Sequence, residues 1–168
     1  RGNVGVASGD SEARGKKCSD FLHMPHGLNG FFDYEEGMAY ARKVGKPVIL
    51  DFSGHGCVNC REMEANVWSD KEVLRILNDE YVIISLYVDD KKELPESEWI
   101  TLPNGKVLKT LGKINANFQT TRFGVNGQPY YILLDNDGKE LGQPRGYNLN
   151  VQEYINFLNE GVAKYKSR

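Results

Sequence analysis

Apolar and polar positions fall into blocks whose period changes at Gly, Pro and Asn. Residues 1–17 have no apolar period; Gly, Ser and charge dominate, so they read as a tether within an N-terminal extension over 1–30. From Phe31 the pattern is that of a folded domain reaching to 168. Asp33, with Glu36 three residues on, predicts a helix that runs to about Val44 and stops at Gly45. Lys46-Pro47 then leads into 48–52, a short apolar run punctuated like a buried parallel strand. A helical stretch follows over 61–67, and Ser69 with Glu72 caps a further helix bearing a Val73, Leu74 and Leu77 stripe. Residues 81–88 make the strongest strand in the sequence.

Between Asp89 and Lys113 the pattern weakens. Lys91, Lys92, Glu93, Pro95 and the Asn104-Gly105 pair predict a solvated excursion with a small hairpin at the Asn-Gly turn. A short helix over 117–123, a strand over 130–134, a turn at 135–138 and a return strand beginning at 139–141 come next. Asn150 with Glu153 caps the last helix, whose apolar positions are Val151, Tyr154, Ile155, Leu158 and Val162. This order implies an α/β domain with a central sheet covered on both faces. Phe52, Tyr81, Tyr87, Phe118, Tyr130 and Tyr131 fall at core spacing and do not form a binding stripe.

Composition narrows the function classes. The 168 residues suffice for one ordinary domain, and 40% apolar with 26% charged residues fits neither a disordered chain nor a membrane bundle. No stretch approaches the roughly 20 apolar residues of a membrane-spanning helix. No secretory apolar region is visible, and the start at Arg1 suggests a processed protein or a fragment of a longer one. A net charge of −2 argues against a nucleic-acid partner held by a strong positive field. Three cysteines are too few for a disulfide-stapled fold, and Cys18, standing alone, reads as an incidental thiol.

The other two form a C-x-x-C pair, Cys57 and Cys60, which admits a redox dithiol, half of a zinc site, or chance. Zinc takes four ligands, and only Cys18, His23, His26 and His55 remain, with no second C-x-x-C. Position favours redox chemistry. Cys57 directly follows a buried-type strand and opens a helix, where unsatisfied N–H groups stabilise a thiolate. Cys60, one turn further in, is placed to attack a mixed disulfide at Cys57 and release the partner. Asp51 sits inside an apolar run, where a carboxylate is costly without a partner or a role.

Pro47-Val48-Ile49-Leu50-Asp51-Phe52, Gly56-Cys57-Val58-Asn59-Cys60, Arg61-Glu62-Met63-Glu64 and Gln128-Pro129 before a strand occur in that order. Together they resemble the thioredoxin superfamily. More narrowly, residues 30–165 resemble the C-terminal periplasmic domain of the membrane thiol:disulfide interchange proteins of DsbD type. The resemblance implies a thioredoxin fold, a central mixed β-sheet flanked by helices on both faces, with an insertion around 89–113. It implies Cys57 as nucleophile and Cys60 as resolving thiol, forming a redox-active disulfide with no cofactor or metal. Asp51 and Glu64 match two acids near the family's dithiol, able to raise cysteine pKa by like charge and to relay a proton. Glu64, four residues after Cys60, shares its helix face. Pro129 matches a cis-proline facing the dithiol, although only about 5–6% of X–Pro bonds are cis in general. Gln128 before it would offer its backbone to a substrate segment. Gly56 replaces the family's aromatic and leaves the sulfur less covered, while His55 is a candidate to lend positive charge to a Cys57 thiolate.

The expected function is therefore a thiol–disulfide oxidoreductase, a monomeric protein-disulfide reductase domain. By resemblance it would take electrons from an adjacent transmembrane donor and pass them to disulfide-containing proteins at the periplasmic face of the inner membrane. A free-standing periplasmic thioredoxin or a thiol oxidant is the alternative enzyme. A binding module with a metal-bound or inert cysteine pair is the alternative outside enzymes.

Overall fold

Asp33 accepts the Glu36 amide at 2.9 Å and opens α1, Tyr34–Val44. Gly45, at φ 70°, closes it in the left-handed region that a Cβ disfavours. The computed structural model describes residues 24–168, so the 1–17 tether, Cys18 and His23 lie outside the described residues.

After Pro47 comes β1, Val48–Ser53, which pairs in parallel with β2, Val82–Tyr87, and antiparallel with β5, Tyr130–Leu134. The mixed sheet thus has the order β2-β1-β5, and every residue of its central strand is buried. Period two divides that strand between two cores. Val48, Leu50 and Phe52 pack with Phe31, Met38 and Ala41 on the α1 face. Ile49 packs on the other face with Met63, Trp68, Ile76 and Tyr154, and Asp51 and Ser53 share its side. That second face is covered by α2 (Val58–Asn66), α3 (Lys71–Glu80) and α5 (Val151–Lys166).

Several boundaries differ from the predicted ones. α2 begins at Val58, three residues earlier than 61, because Cys57 serves as its cap. α3 is capped by Asp70, whose Oδ2 accepts the Glu72 and Val73 amides at 3.0 and 3.1 Å; Ser69 Oγ instead donates back to the Ala65 carbonyl at 2.7 Å. α4, Leu111–Phe118, starts six residues ahead of 117, capped by Thr110, and runs on through a π-helical turn at Gln119–Phe123. The return strand at 139–141 reduces to one bridge, Leu134 with Glu140, and a second bridge joins Tyr131 to Arg145.

The excursion after β2 contains the predicted hairpin, β3 (Ile100–Thr101) paired with β4 (Val107–Leu108) around Gly105 at φ 89°. It is less solvated than its sequence suggests. Leu94, Leu108 and Leu111 are buried; Leu94 and Leu111 pack with Phe32 and Tyr87 in a third cluster, and Trp99 Nε1 donates to the Leu94 carbonyl at 2.8 Å. Residues 24–30, read as part of the extension, also pack on the domain. Leu28 is buried in the second-face core, and the Phe31 amide donates to the Ile83 carbonyl at 2.8 Å. Of the six aromatics, Phe52, Tyr81, Tyr87 and Tyr131 are buried, and Phe118 and Tyr130 are half-buried against the α1-face core.

Candidate active site

β1 delivers the chain to a short loop, 54–56, at one end of the sheet, and β2 delivers Asp89 and Asp90 beside it. Asp89 accepts the amides of His55 and Gly56 at 2.7 and 2.9 Å. Its partial burial works to raise its pKa, but those two amides and the His55 imidazole outweigh it and hold the carboxyl below the usual range. So anchored, the loop leads to Cys57 in extended conformation as the N-cap of α2, where Sγ accepts the Cys60 amide at 3.2 Å. Cys57 and Cys60 form a disulfide with Cα atoms 5.3 Å apart. Cys57 is half-buried, whereas Cys60 is 2% exposed, so one sulfur meets the rim and the other is covered.

Asp51 lies on the sheet face that α2 covers, in register with Ser85 on one side and Tyr131 on the other. It is buried, and Ser85 Oγ donates to its Oδ2 at 2.9 Å. Burial pushes its carboxyl up to about 7; the Ser85 hydrogen bond opposes this, the Glu64 charge adds to it and Arg61 subtracts. A carboxyl titrating there can exchange a proton near neutral pH.

Glu64 is not an unpaired acid. Arg61 grips it with two bonds, Nε to Oε1 at 3.1 Å and Nη2 to Oε2 at 2.9 Å. The same guanidinium donates to Ser53 Oγ at 3.1 Å and to the His55 carbonyl at 3.2 Å. Arg61 therefore ties α2 to the end of β1 and to the cysteine loop. Reading the sequence for acids and thiols passes over it, although its place three residues before Glu64 is a helical ion-pair spacing. Nearby, burial and then the charges of Asp51 and Glu64 push the Tyr87 hydroxyl up to about 12, against the pull of Arg61.

The His55 ring stacks on Tyr87, centroids 4.2 Å apart, with Nε2 2.8 Å from Asp90 Oδ2. The polar edge of the imidazole is thus turned toward Asp90. The Gln128–Pro129 bond is cis, and Pro129 lies one position beyond the Phe52–Tyr130 pair, at the sheet end where β1 feeds the cysteine loop. The Gln128 side chain donates to Gln119 Oε1 at 3.0 Å and to the Asn126 carbonyl at 3.2 Å. Gln119, fully buried, donates in turn to the Gly127 carbonyl at 2.9 Å and so shapes the loop before the proline. Nothing in its local sequence marks it. Among the described residues, no group of three or more His, Cys, Asp or Glu side chains is arranged to hold a metal ion, and no helix is long and apolar enough to cross a membrane.

The model of the family described as thioredoxin-like domain matches residues 34–161. The chain belongs to the thioredoxin-like family. It is 29% identical over 118 residues to the thiol:disulfide interchange protein DsbD of Actinobacillus pleuropneumoniae serotype 5b (strain L20), across 69% of this chain and 16% of that protein. To DsbD of Salmonella typhi it is 44% identical over 45 residues, 27% of this chain and 8% of that one. The chain thus spans less than a fifth of the length of these curated relatives. Among solved structures it is similar to DsbH oxidoreductase, with TM-score 0.62 and 16% identity over 90% of this chain and 98% of that one. It is also similar to the C-terminal domain of Neisseria meningitidis DsbD in the reduced form, with TM-score 0.52 and 19% identity over 76% and 93%. At these identities both likenesses concern the fold. In this thioredoxin-like domain the Cys57–Cys60 bridge at the head of α2 supplies the sulfur pair that thiol–disulfide exchange requires.

Proposed function

We propose that this domain is a protein-disulfide reductase that receives electrons from an adjacent membrane domain and passes them to disulfide-bonded proteins of the periplasm. The reading rests on one observation above all: Cys57 caps α2 at the rim while Cys60 is buried behind it. The relatives named thiol:disulfide interchange protein support the exchange chemistry, and the membrane donor and periplasmic location follow from the resemblance to DsbD-type domains.

In the reduced state the Cys57 thiolate attacks one sulfur of the substrate disulfide. That bond breaks, its other sulfur leaves as a thiolate that takes a proton from water, and a mixed disulfide forms at Cys57. Asp51, as carboxylate, takes the Cys60 proton; the Cys60 thiolate then attacks Cys57 Sγ and expels the second substrate sulfur as a thiolate, which takes a proton from water as Asp51 releases its own. The substrate gains two electrons and two protons, and the pair ends oxidised. A dithiol of the donor runs the same exchange backwards on the Cys57–Cys60 bridge. Glu64 adds negative charge near the pair, moderated by its Arg61 partner. The Gln128 backbone and Pro129 receive the substrate segment, with His55 at the rim.

Cys57→Ser is expected to abolish reduction of insulin by a chemically reduced domain. Cys60→Ser is expected to retain the first exchange and to accumulate a mixed disulfide on Cys57, detectable by intact mass. Turnover at the parent rate in both variants would refute the dithiol mechanism.

A further inference from the structure

Residues 24–28 fold back under the sheet before the first helix begins. The Met24 sulfur lies 3.8 Å from Ser85 Oγ, and that hydroxyl lies 2.9 Å from Asp51 Oδ2. The thioether packs against both the second-face core and the small cluster around Leu94. Gly30 leaves room for it, since a Cβ there would stand 3.1 Å from the sulfur. Two residues on, His26 Nε2 lies 2.7 Å from the Glu64 carbonyl and fixes the segment to α2.

Ser85 has one proton and two acceptors within reach. When Asp51 is ionised, the hydroxyl donates to the carboxylate. When Asp51 is protonated, the carboxyl O–H can donate to Ser85 Oγ, which turns its own proton to the Met24 sulfur. A thioether accepts weakly and donates nothing, so it can serve only the second arrangement. We propose that Met24 is a positioning residue for the Asp51 proton: its sulfur receives the Ser85 hydroxyl when the carboxyl is protonated and so favours that state. The catalytic meaning of this chain rests on the proton-acceptor role given to Asp51 above.

Other groups also act on Asp51. Glu64 and Arg61 act on it from α2 with opposite signs, and Tyr87 lies toward it from β2, Tyr131 from β5 and Tyr154 from α5. Burial pushes all three tyrosine hydroxyls far above neutrality, so they stay protonated while Asp51 titrates. In the oxidised protein the two thiols are absent as well.

The test is a carbon-13 NMR titration of the Asp51 carboxyl in the oxidised chain, assigned with Asp51→Asn. Met24→Leu keeps the apolar bulk and removes the acceptor; the midpoint is expected to fall by about half a pH unit, roughly threefold in proton affinity. Ser85→Ala removes the donor to the ionised form and is expected to raise the midpoint. In that background Met24→Leu should have no further effect. A midpoint that stays or rises in Met24→Leu, as for a segment that merely excludes water, overturns the proposal. So does an equal fall with and without Ser85. The pH profile of insulin reduction separates the two readings: a shifted carboxyl midpoint with an unmoved profile upholds Met24 and removes Asp51 from the proton path.

Discussion

A carboxyl inside an apolar strand is tolerated when it is neutral or well paired, and Asp51 takes each state on either side of neutral pH. Its folded pKa of about 7 exceeds the ordinary 3.8, so the folded form holds the proton more tightly than the unfolded one. The contribution to stability is full below about 3.8 and is lost as pH rises to about 7. Asp51→Asn, neutral throughout, should match the parent near pH 4 and exceed it at pH 8 by on the order of 2–4 kcal/mol. Urea unfolding across that range measures the difference; a gap that does not change with pH would contradict the assignment. Asp51 was legible in the sequence because a charge interrupts an apolar run, and the cysteines because their spacing is chemical. Arg61 and Gln119 were not. Each looks like an ordinary polar helical residue, and its importance comes from what tertiary packing sets beside it, Ser53 and the His55 carbonyl for one and the Gly127 carbonyl for the other.

At the scale of elements, capping was the most readable signal, since Asp33 and Asn150 both accept the amide three residues on. The start of α4 was the least. Gly112 and two asparagines make 111–118 look irregular, yet the glycine serves packing rather than flexibility. A Cβ there would meet the backbone N and O of Asp90 at 2.6 Å. Gly112→Ala should therefore destabilise the domain by about 1–3 kcal/mol through overpacking. The sign opposes the gain, at most about 1 kcal/mol, that alanine brings over glycine in a helix. Denaturant midpoints decide it, and a stabilised variant would show that the Asp90 backbone yields.

Over the whole molecule, the α/β layering followed from the order of strands and helices, and the fold from the resemblance around the cysteines. The packing of 24–30 and of the excursion was hidden, because a few apolar residues among many polar ones read as solvated loop. The second-face core joins α3, α5 and the end of α2, where Trp68 Nε1 donates to Tyr154 Oη at 3.0 Å. Tyr154→Phe strands that buried N–H and should cost about 1–3 kcal/mol by urea unfolding, without changing the reduction potential of the cysteine pair. A loss of activity at full stability would instead place Tyr154 in the redox path. The anchoring of the cysteine loop by Asp89 bears on recognition. A polypeptide arriving at Cys57 finds the His55 and Gly56 amides already engaged by Asp89, and the Arg61 guanidinium by Glu64, Ser53 and a carbonyl. Beside the sulfur the rim presents Val58, 70% exposed, next to the exposed Asn59. On the proposed reading, the cysteine loop itself then offers a partner few free donors, and what it can add to the backbone of Gln128 is mainly the apolar contact of Val58.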